Sequence, residues 1–413
     1  RQLWMEELND QACWSLAQFN WKYFKTTSYQ LTSDLNLSLL PDNLFYFNIL
    51  EFDNKFKDKI VNEKGHFKAA YSINYLNNKV VGRTNYKGKI ISCPLDYFIN
   101  NKNIPDAIIT NSKFFFKHIK KIIKKINKFH EWLIQFRDPK KTGLVSILHP
   151  WKSGYDNSPL WDDPMNKVKI EKNIKYKRAD NKVVNPDFRP LDIDYDRYVT
   201  IKNNLRKLKY NPKKVYKYSF FNVVDVGFNS IFLKANKDLI ELLDTFGLNK
   251  KKIDNYIKVT EKNFLKLYDK KRKTFFSKDI KNNKKIYIPS ITNYFLLFAD
   301  LNNDKINKRL IQNLKKHNLK EKYFFSSIKS NHKSFEEKRY WRGPVWINCN
   351  WFIYKGLKNK DRLFSDKIKN KTIQMLEKKG FFEYFSCKSG QPMGAKNFSW
   401  SAALYLDLKL NKN

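Results

Sequence analysis

Between Asn111 and Arg137 the apolar residues Phe115, Ile119, Ile122, Ile126, Phe129, Leu133 and Phe136 recur at spacings of four and three. That period lays them on one stripe of a helix, with the lysines of "KHIKKIIKKINK" facing solvent. Similar patterns predict helices near residues 9–24, 43–60, 92–103, 190–209, 226–246, 250–271, 293–301, 304–317, 344–358, 361–379 and 398–410. Asp304 and Asp361 suit N-terminal caps, and Gly247 and Gly380 suit C-terminal stops. Strand patterns are few: "KVVGRT", "TGLVSIL" and "KKIYIPS". Helices spaced like repeated hairpins, with no linker of biased composition, predict one all-α domain over residues 1–413.

Three turn-rich stretches interrupt the helical pattern. They are "HPWKSGYDNSPLWD" (149–162), "KRYWRGPVWINCNWF" (338–352) and "GFFEYFSCKSGQPMGAKNFSW" (380–400). Each combines aromatic rings with charge. Pro150 and Pro159 remove backbone donors, so the first stretch is no helix interior. Large aromatic rings are costly to leave in a solvated loop, which points to pocket walls. In a toroid of helical hairpins, loops at one end converge on the central cavity.

Composition narrows the class. Hydrophobic residues make up 42% of the 413, enough for a sizeable core and too many for a disordered chain. No apolar run approaches the ~18 residues of a membrane span. The net charge of +41 raises nucleic-acid binding. However, the excess is mostly lysine spread along the whole chain, alongside abundant Asn, Ile and Phe. A/T-rich codons account for that bias, and base readout would favour localised arginine. Cys13, Cys93, Cys349 and Cys387 are far apart, without metal-ligand spacing. They read as free thiols of a reducing, cytoplasmic compartment. No phosphate-cradling glycine loop is present, so neither a cofactor nor a metal is expected.

Stacked aromatics with two separated carboxylates suit a sugar, whose C–H faces lie on rings while polar groups take its hydroxyls. Hydrolysis of a glycoside needs one protonated carboxyl and a second carboxylate. Asp156 and Glu383, each flanked by an aromatic residue, are the candidates. Other readings stand beside this one. Asp156 before "NSP" also fits a turn, and Glu383 a helix start. Asp162 and Asp163 compete for the acid role, and Trp346, Trp351 and Trp400 also suit a core.

The three blocks, in this order, resemble the signature segments of the (α/α)6-barrel glycosidases of glycoside hydrolase family 63. Within it they are most similar to the bacterial mannosylglycerate and glucosylglycerate hydrolases. The resemblance implies an (α/α)6 toroid of six helical hairpins, with the active-site loops at one end. It implies an inverting α-glycosidase acting on a small glycoside, with Asp156 as general acid and Glu383 as general base. Trp151, Tyr340, Trp341 and Trp346 would line the sugar pocket, and Arg189 and Tyr195 of "RPLDIDYDRY" would hold a glycerate carboxylate. The partner is then a small-molecule glycoside rather than nucleic acid or membrane, and association of identical copies stays open. The sequence departs from the family at Lys152, where glutamate is usual, and at "ISCP" (91–94). The family's N-terminal tryptophan block has at best a remnant in "NDQACWSL", which implies a domain lacking its N-terminal part. A neutral α-glucosidase of trehalase or debranching type, or a non-catalytic sugar-binding derivative, is the alternative reading.

Overall fold

The computed structural model describes the backbone of residues 45–47, 71–76, 79–86, 89–94, 106–178, 180–182, 184–317 and 323–410, and side chains from residue 119 onward. The helix expected at 9–24, and with it the segment "NDQACWSL", lies outside the described residues. The chain divides into two compact units. Phe19–Lys128 with Glu241–Leu248 form the smaller, and Phe129–Ile240 with Asn249–Asn413 the core of the larger.

The smaller unit overturns the expectation of an all-α chain. Strands β1 (Phe45–Phe47), β2 (Tyr71–Leu76), β3 (Lys79–Tyr86) and β4 (Lys89–Pro94) pair in sequence order as an antiparallel meander. β1 lies inside the span 43–60 expected as a helix, and β4 ends inside the expected helix at 92–103. "KVVGRT" does fall on β3. The β-branched and aromatic residues of "YSINYL" and "KIISCP" fit a pleated surface, and short apolar runs leave helix and strand ambiguous until a neighbouring strand is supplied.

The larger unit is helix-rich. Helix α1 (Asp106–Arg137) is divided between the units, its residues from Phe129 on belonging to the larger. Its buried positions run through Ile119, Ile123, His130, Leu133 and Arg137. The stripe is thus rotated from the predicted one, where Ile122, Ile126 and Phe129 are only partly buried. His130 is accommodated by its Nδ1 contact with Asn236 Oδ1 at 2.9 Å, and burial pushes its pKa down to about 4. The further helices are α2 (Asp192–Lys207), α3 (Pro212–Tyr218), α4 (Val226–Thr245), α5 (Lys251–Phe264), α6 (Asp304–His317), α7 (Ile347–Leu357), α8 (Arg362–Lys379) and α9 (Ser399–Leu410). Helix α3 has no counterpart in the sequence reading. The expected helix at 293–301 is a 3-10 turn followed by a single α-turn.

Short strands position the loops. β5 (Ser146–Ile147) pairs with β6 (Val223–Val224) and fixes the chain immediately before the 149–162 loop. β7 (Tyr268–Asp269) and β8 (Thr274–Phe275) form a hairpin, which is why the helix expected at 250–271 stops at Phe264. β9 (Lys278–Asp279) and β10 (Lys284–Lys285) complete the antiparallel sheet begun by β5 and β6. "TGLVSIL" and "KKIYIPS" thus supply β5 and β10. Helix α7 is buried around its whole circumference from Ile347 to Tyr354, as a central helix must be, and packs against α8 and α9. It anchors the loop that precedes it. The apolar core runs continuously from these helices to Tyr155 and Trp161.

Candidate active site

The loop at 149–162 is not a solvated wall. Two 3-10 turns, Pro150–Ser153 and Pro159–Trp161, each begin with a proline and are capped by His149 and Ser158. Tyr155 and Trp161 are buried and stacked, with ring centroids 5.6 Å apart. The Trp161 indole donates to the Tyr155 carbonyl at 2.9 Å. The Tyr155 hydroxyl donates to buried Asp225, which also accepts from Phe228 N and Ser277 Oγ. These large rings therefore hold the loop's shape, while Asp156, between them in sequence, is only partly buried.

Helix α2 grips the loop from the other side. The Tyr198 hydroxyl donates to the Asp156 carbonyl at 2.8 Å, and Asn157 Nδ2 donates to Asp194 at 3.1 Å. His149 Nε2 donates to the Tyr198 carbonyl at 3.0 Å, while its Nδ1 accepts from Trp151 N. Burial, reinforced by Lys152 and Lys202, lowers the His149 pKa to about 3, so the ring stays neutral in this role. Lys152, the departure from the family pattern, thus acts on His149.

Glu383 lies on strand β11 (Phe382–Phe385), which pairs antiparallel with β12 (Pro392–Lys396). The register slips between Phe382 and Tyr384, so Glu383 sits at a bulge. Its side chain is almost fully buried, the residue being only 6% exposed. Arg189 holds it with two parallel bonds, Nη1 to Oε1 at 3.1 Å and Nη2 to Oε2 at 2.7 Å. Ala395 N donates to Oε2 at 3.0 Å. The pairing is prepared one residue away on each chain segment, since the Tyr384 hydroxyl donates to the Phe188 carbonyl at 3.0 Å. A Cβ at Gly394 would stand 2.6 Å from Glu383 Oε2, and its φ of +75° also favours glycine. The bridge between Val345 and Phe385 ties this strand to the loop before α7.

The electrostatics brings these elements together. Burial raises the Asp156 pKa to about 7; a backbone hydrogen bond and Arg189 oppose the rise, and the charges of Glu383 and Asp180 add to it. The hydroxyls of Tyr195, Tyr198 and Tyr340 all feel the Asp156 charge and, chiefly through burial, stay protonated. Asp156, Glu383, Arg189, Tyr195 and Tyr340 therefore share one neighbourhood. The arrangement offers a carboxyl that keeps its proton near neutrality beside a carboxylate fixed by a guanidinium, the pair that glycoside hydrolysis requires.

The other expected residues divide. The Tyr340 ring lies under the Arg189 guanidinium at 4.8 Å, with a backbone φ of +30°. Trp151 is partly exposed and packs on His149, Tyr195 and Tyr198. Trp341 and Trp346 do not present open faces to a sugar. They stack on each other at 3.8 Å and are 2% and 3% exposed, so they back the site rather than line it. Arg189, expected with Tyr195 to hold a glycerate carboxylate, already pairs with the Glu383 carboxylate, and the Asp180 charge acts on Tyr195. Asp162 is withdrawn from the acid role by its bidentate pair with Arg342 at 2.8 and 2.9 Å. Asp180, Tyr198, Tyr384 and Gly394 belong to the site but are not singled out by sequence reasoning. The Gly and Pro of "SGQPMGAK" after an aromatic run are a usable hairpin signal, whereas nothing around "KRADNK" marks Asp180.

Among the described residues no cluster of His, Cys, Asp and Glu could hold a metal ion, and no helix is long and apolar enough to cross a membrane. Cys349 and Cys387 are both buried.

Residues 116–401 match the mannosylglycerate hydrolase MGH1-like glycoside hydrolase domain. The chain is 38% identical over 286 residues to a mannosylglycerate hydrolase of Thermus thermophilus, covering 69% of each protein. It is 32% identical to mannosylglycerate hydrolase MGH1 of Selaginella moellendorffii, covering 70% of this chain but only 59% of that relative. The crystal structure of a GH63 mannosylglycerate hydrolase from a second Thermus thermophilus strain, in complex with Tris and D-glycerate, superposes with a TM-score of 0.69 at 36% identity. That match covers 75% of this chain and 74% of the other.

Proposed function

The chain belongs to glycoside hydrolase family 63, among its mannosylglycerate hydrolase-like members, and from that premise we propose that it is an inverting α-glycosidase that hydrolyses a small hexosyl glycerate. Asp156 donates a proton to the glycosidic oxygen as the bond breaks. Glu383 accepts a proton from the water that attacks the opposite face of the sugar. The observation that carries this assignment is the Asp156 carboxyl, raised to about 7 beside a Glu383 held in place by Arg189. An acid must keep its proton at working pH, and the rise at Asp156 serves that need. The likeness to solved family members supports the (α/α)6 toroid as the frame for both loops.

Tyr340 and Trp151, both partly exposed, are the rings that would meet the sugar. Arg189 retains a buried Nε without a hydrogen-bond partner, a donor suited to an acidic leaving group. A second reading, a neutral α-glucosidase, is favoured by one observation: the Arg189 fork is already taken by Glu383. Purified protein offered mannosylglycerate, glucosylglycerate, trehalose and malto-oligosaccharides separates the two. Release of sugar from the glycerate glycosides, with the β-anomer appearing first by NMR, is the expected result. Turnover of the neutral sugars alone favours the second reading, and a first-formed α-anomer overturns inversion.

A further inference from the structure

Arg342 and Asp162 lie 180 residues apart in the chain and meet as a two-pronged pair. Arg342 donates through Nη1 to Oδ1 at 2.8 Å and through Nη2 to Oδ2 at 2.9 Å, and its Nε donates to Glu336 Oε1 at 2.7 Å. Asp162 follows Trp161, whose ring stacks on Tyr155, the neighbour of Asp156. The backbone of Arg342 closes the turn that carries Tyr340. Arg342 N donates to the Arg339 carbonyl at 2.8 Å, and Glu336 N to the Arg342 carbonyl at 3.0 Å. Tyr340 holds a φ of +30° in that turn, a strained value that persists only where neighbours enforce it. The next residue reaches the base side. Glu337 accepts from Ser386 Oγ, one position beyond β11, and pairs with Lys388 Nζ at 3.2 Å. Two adjacent glutamates thus connect the acid loop, through Arg342, to the hairpin that carries Glu383.

Resting on the glycosidase reading above, we propose that Arg342 is a positioning residue, whose fork on Asp162 sets the Asp156 loop against the Glu383 hairpin and so fixes the gap between acid and base. An inverting site needs that gap to admit the attacking water, and a misplacement on the order of 1 Å costs about 10²-fold in rate. A planar guanidinium held by three bonds admits one orientation, whereas an ammonium on a flexible stem does not. The pair adds little to stability, because the Asp162 side chain is 39% exposed and solvent screens it. Its effect therefore falls on geometry. Glu383 keeps its own supports in Arg189 and Ala395 N, so releasing Asp162 displaces the acid loop rather than the base.

The test compares the wild-type chain, Arg342→Lys, Asp162→Asn and the double variant on two substrates of one sugar. The first is whichever of mannosylglycerate, glucosylglycerate, trehalose and maltose the wild type hydrolyses fastest. The second is the α-fluoride of the same sugar, whose leaving group needs no proton. Arg342→Lys should lose roughly ten- to hundredfold in kcat on the glycoside, with KM within about threefold, and less than about threefold on the fluoride. Asp162→Asn keeps one acceptor for Arg342 and should lose less. The double variant should lose no more than Arg342→Lys alone, since both changes remove the same pair. Melting temperatures should stay within about 5 °C of the wild type. Equal losses on glycoside and fluoride, multiplying losses in the double variant, or a wild-type kcat in Arg342→Lys overturns the proposal and leaves the glycosidase reading standing. A variant unfolded at the assay temperature makes the pair a structural strut and overturns it too. A wild type that hydrolyses none of these glycosides sinks both.

Discussion

Asp156→Asn removes the proposed proton donor and keeps the shape of the loop, because Tyr198 holds the backbone carbonyl and Tyr155 is tied to Asp225. The Asp156 carboxyl stands at about 7 against an ordinary 3.8. A rise of that size disfavours the ionised form by roughly 4 kcal/mol. In the wild type, kcat/KM for a glycoside with a poor leaving group should fall as pH rises through about 7, since the acid is then deprotonated. The variant should lose about 10²- to 10⁴-fold on that substrate. On a glycosyl fluoride, whose leaving group departs without a proton, it should keep most of its rate and show no alkaline limb. Stability follows the same carboxyl. Its folded pKa lies above the unfolded one, so its contribution is full below pH 3.8 and is lost as pH rises through about 7. The variant should therefore lose less stability than the wild type over that window, by at most about 4 kcal/mol. Initial rates across pH 4–9 on both substrates, with thermal unfolding at the same pH values, decide the matter. A wild-type profile flat to pH 9, or a variant that keeps the alkaline limb, refutes the assignment.

Arg189→Ala leaves the buried Glu383 carboxylate without its guanidinium, and breaking a buried pair costs about 3–5 kcal/mol. The geometry thus predicts lower melting temperature and a roughly ten- to hundredfold loss of kcat on neutral and acidic substrates alike; a loss confined to acidic substrates, with neutral kcat intact, would show Arg189 to be a leaving-group clamp only. Gly394→Ala would bring a methyl within 2.6 Å of Glu383 Oε2 at a φ of +75°. It should lower kcat as well as stability. Gly247→Ala carries a comparable backbone cost at φ +57° with nothing within 4 Å, and should lower stability by about 1–2 kcal/mol while leaving kcat unchanged. Equal kcat effects at the two positions would remove Gly394 from any role in setting Glu383.

Several elements are legible in the linear pattern. Helices α2, α4, α6, α7, α8 and α9 fall within a few residues of their predicted spans, because an amphipathic or wholly apolar helical repeat is a local property. The three aromatic loops are also visible, since Pro, Gly and Trp in close succession exclude regular structure wherever the chain goes. Asp156 and Glu383 stand out in them, and the resemblance to a known family gives each a role. What the sequence alone left open was which charges and rings meet. The strands β1 to β4 take their form by pairing with one another, so short apolar runs there could not be told from helix. Arg189 lies 194 residues from Glu383, and their pairing depends on the β11–β12 bulge and the Tyr384–Phe188 bond. Trp341 and Trp346 carry the same letters as a sugar platform, yet they close on each other in the core. Asp180 has no local signature; Arg178 holds it with two bonds, and its charge adds to the rise at Asp156. Residue type and period are set by covalent order, whereas desolvation and charge proximity depend on segments distant in sequence. The tertiary structure alone therefore decided that Asp156 keeps its proton.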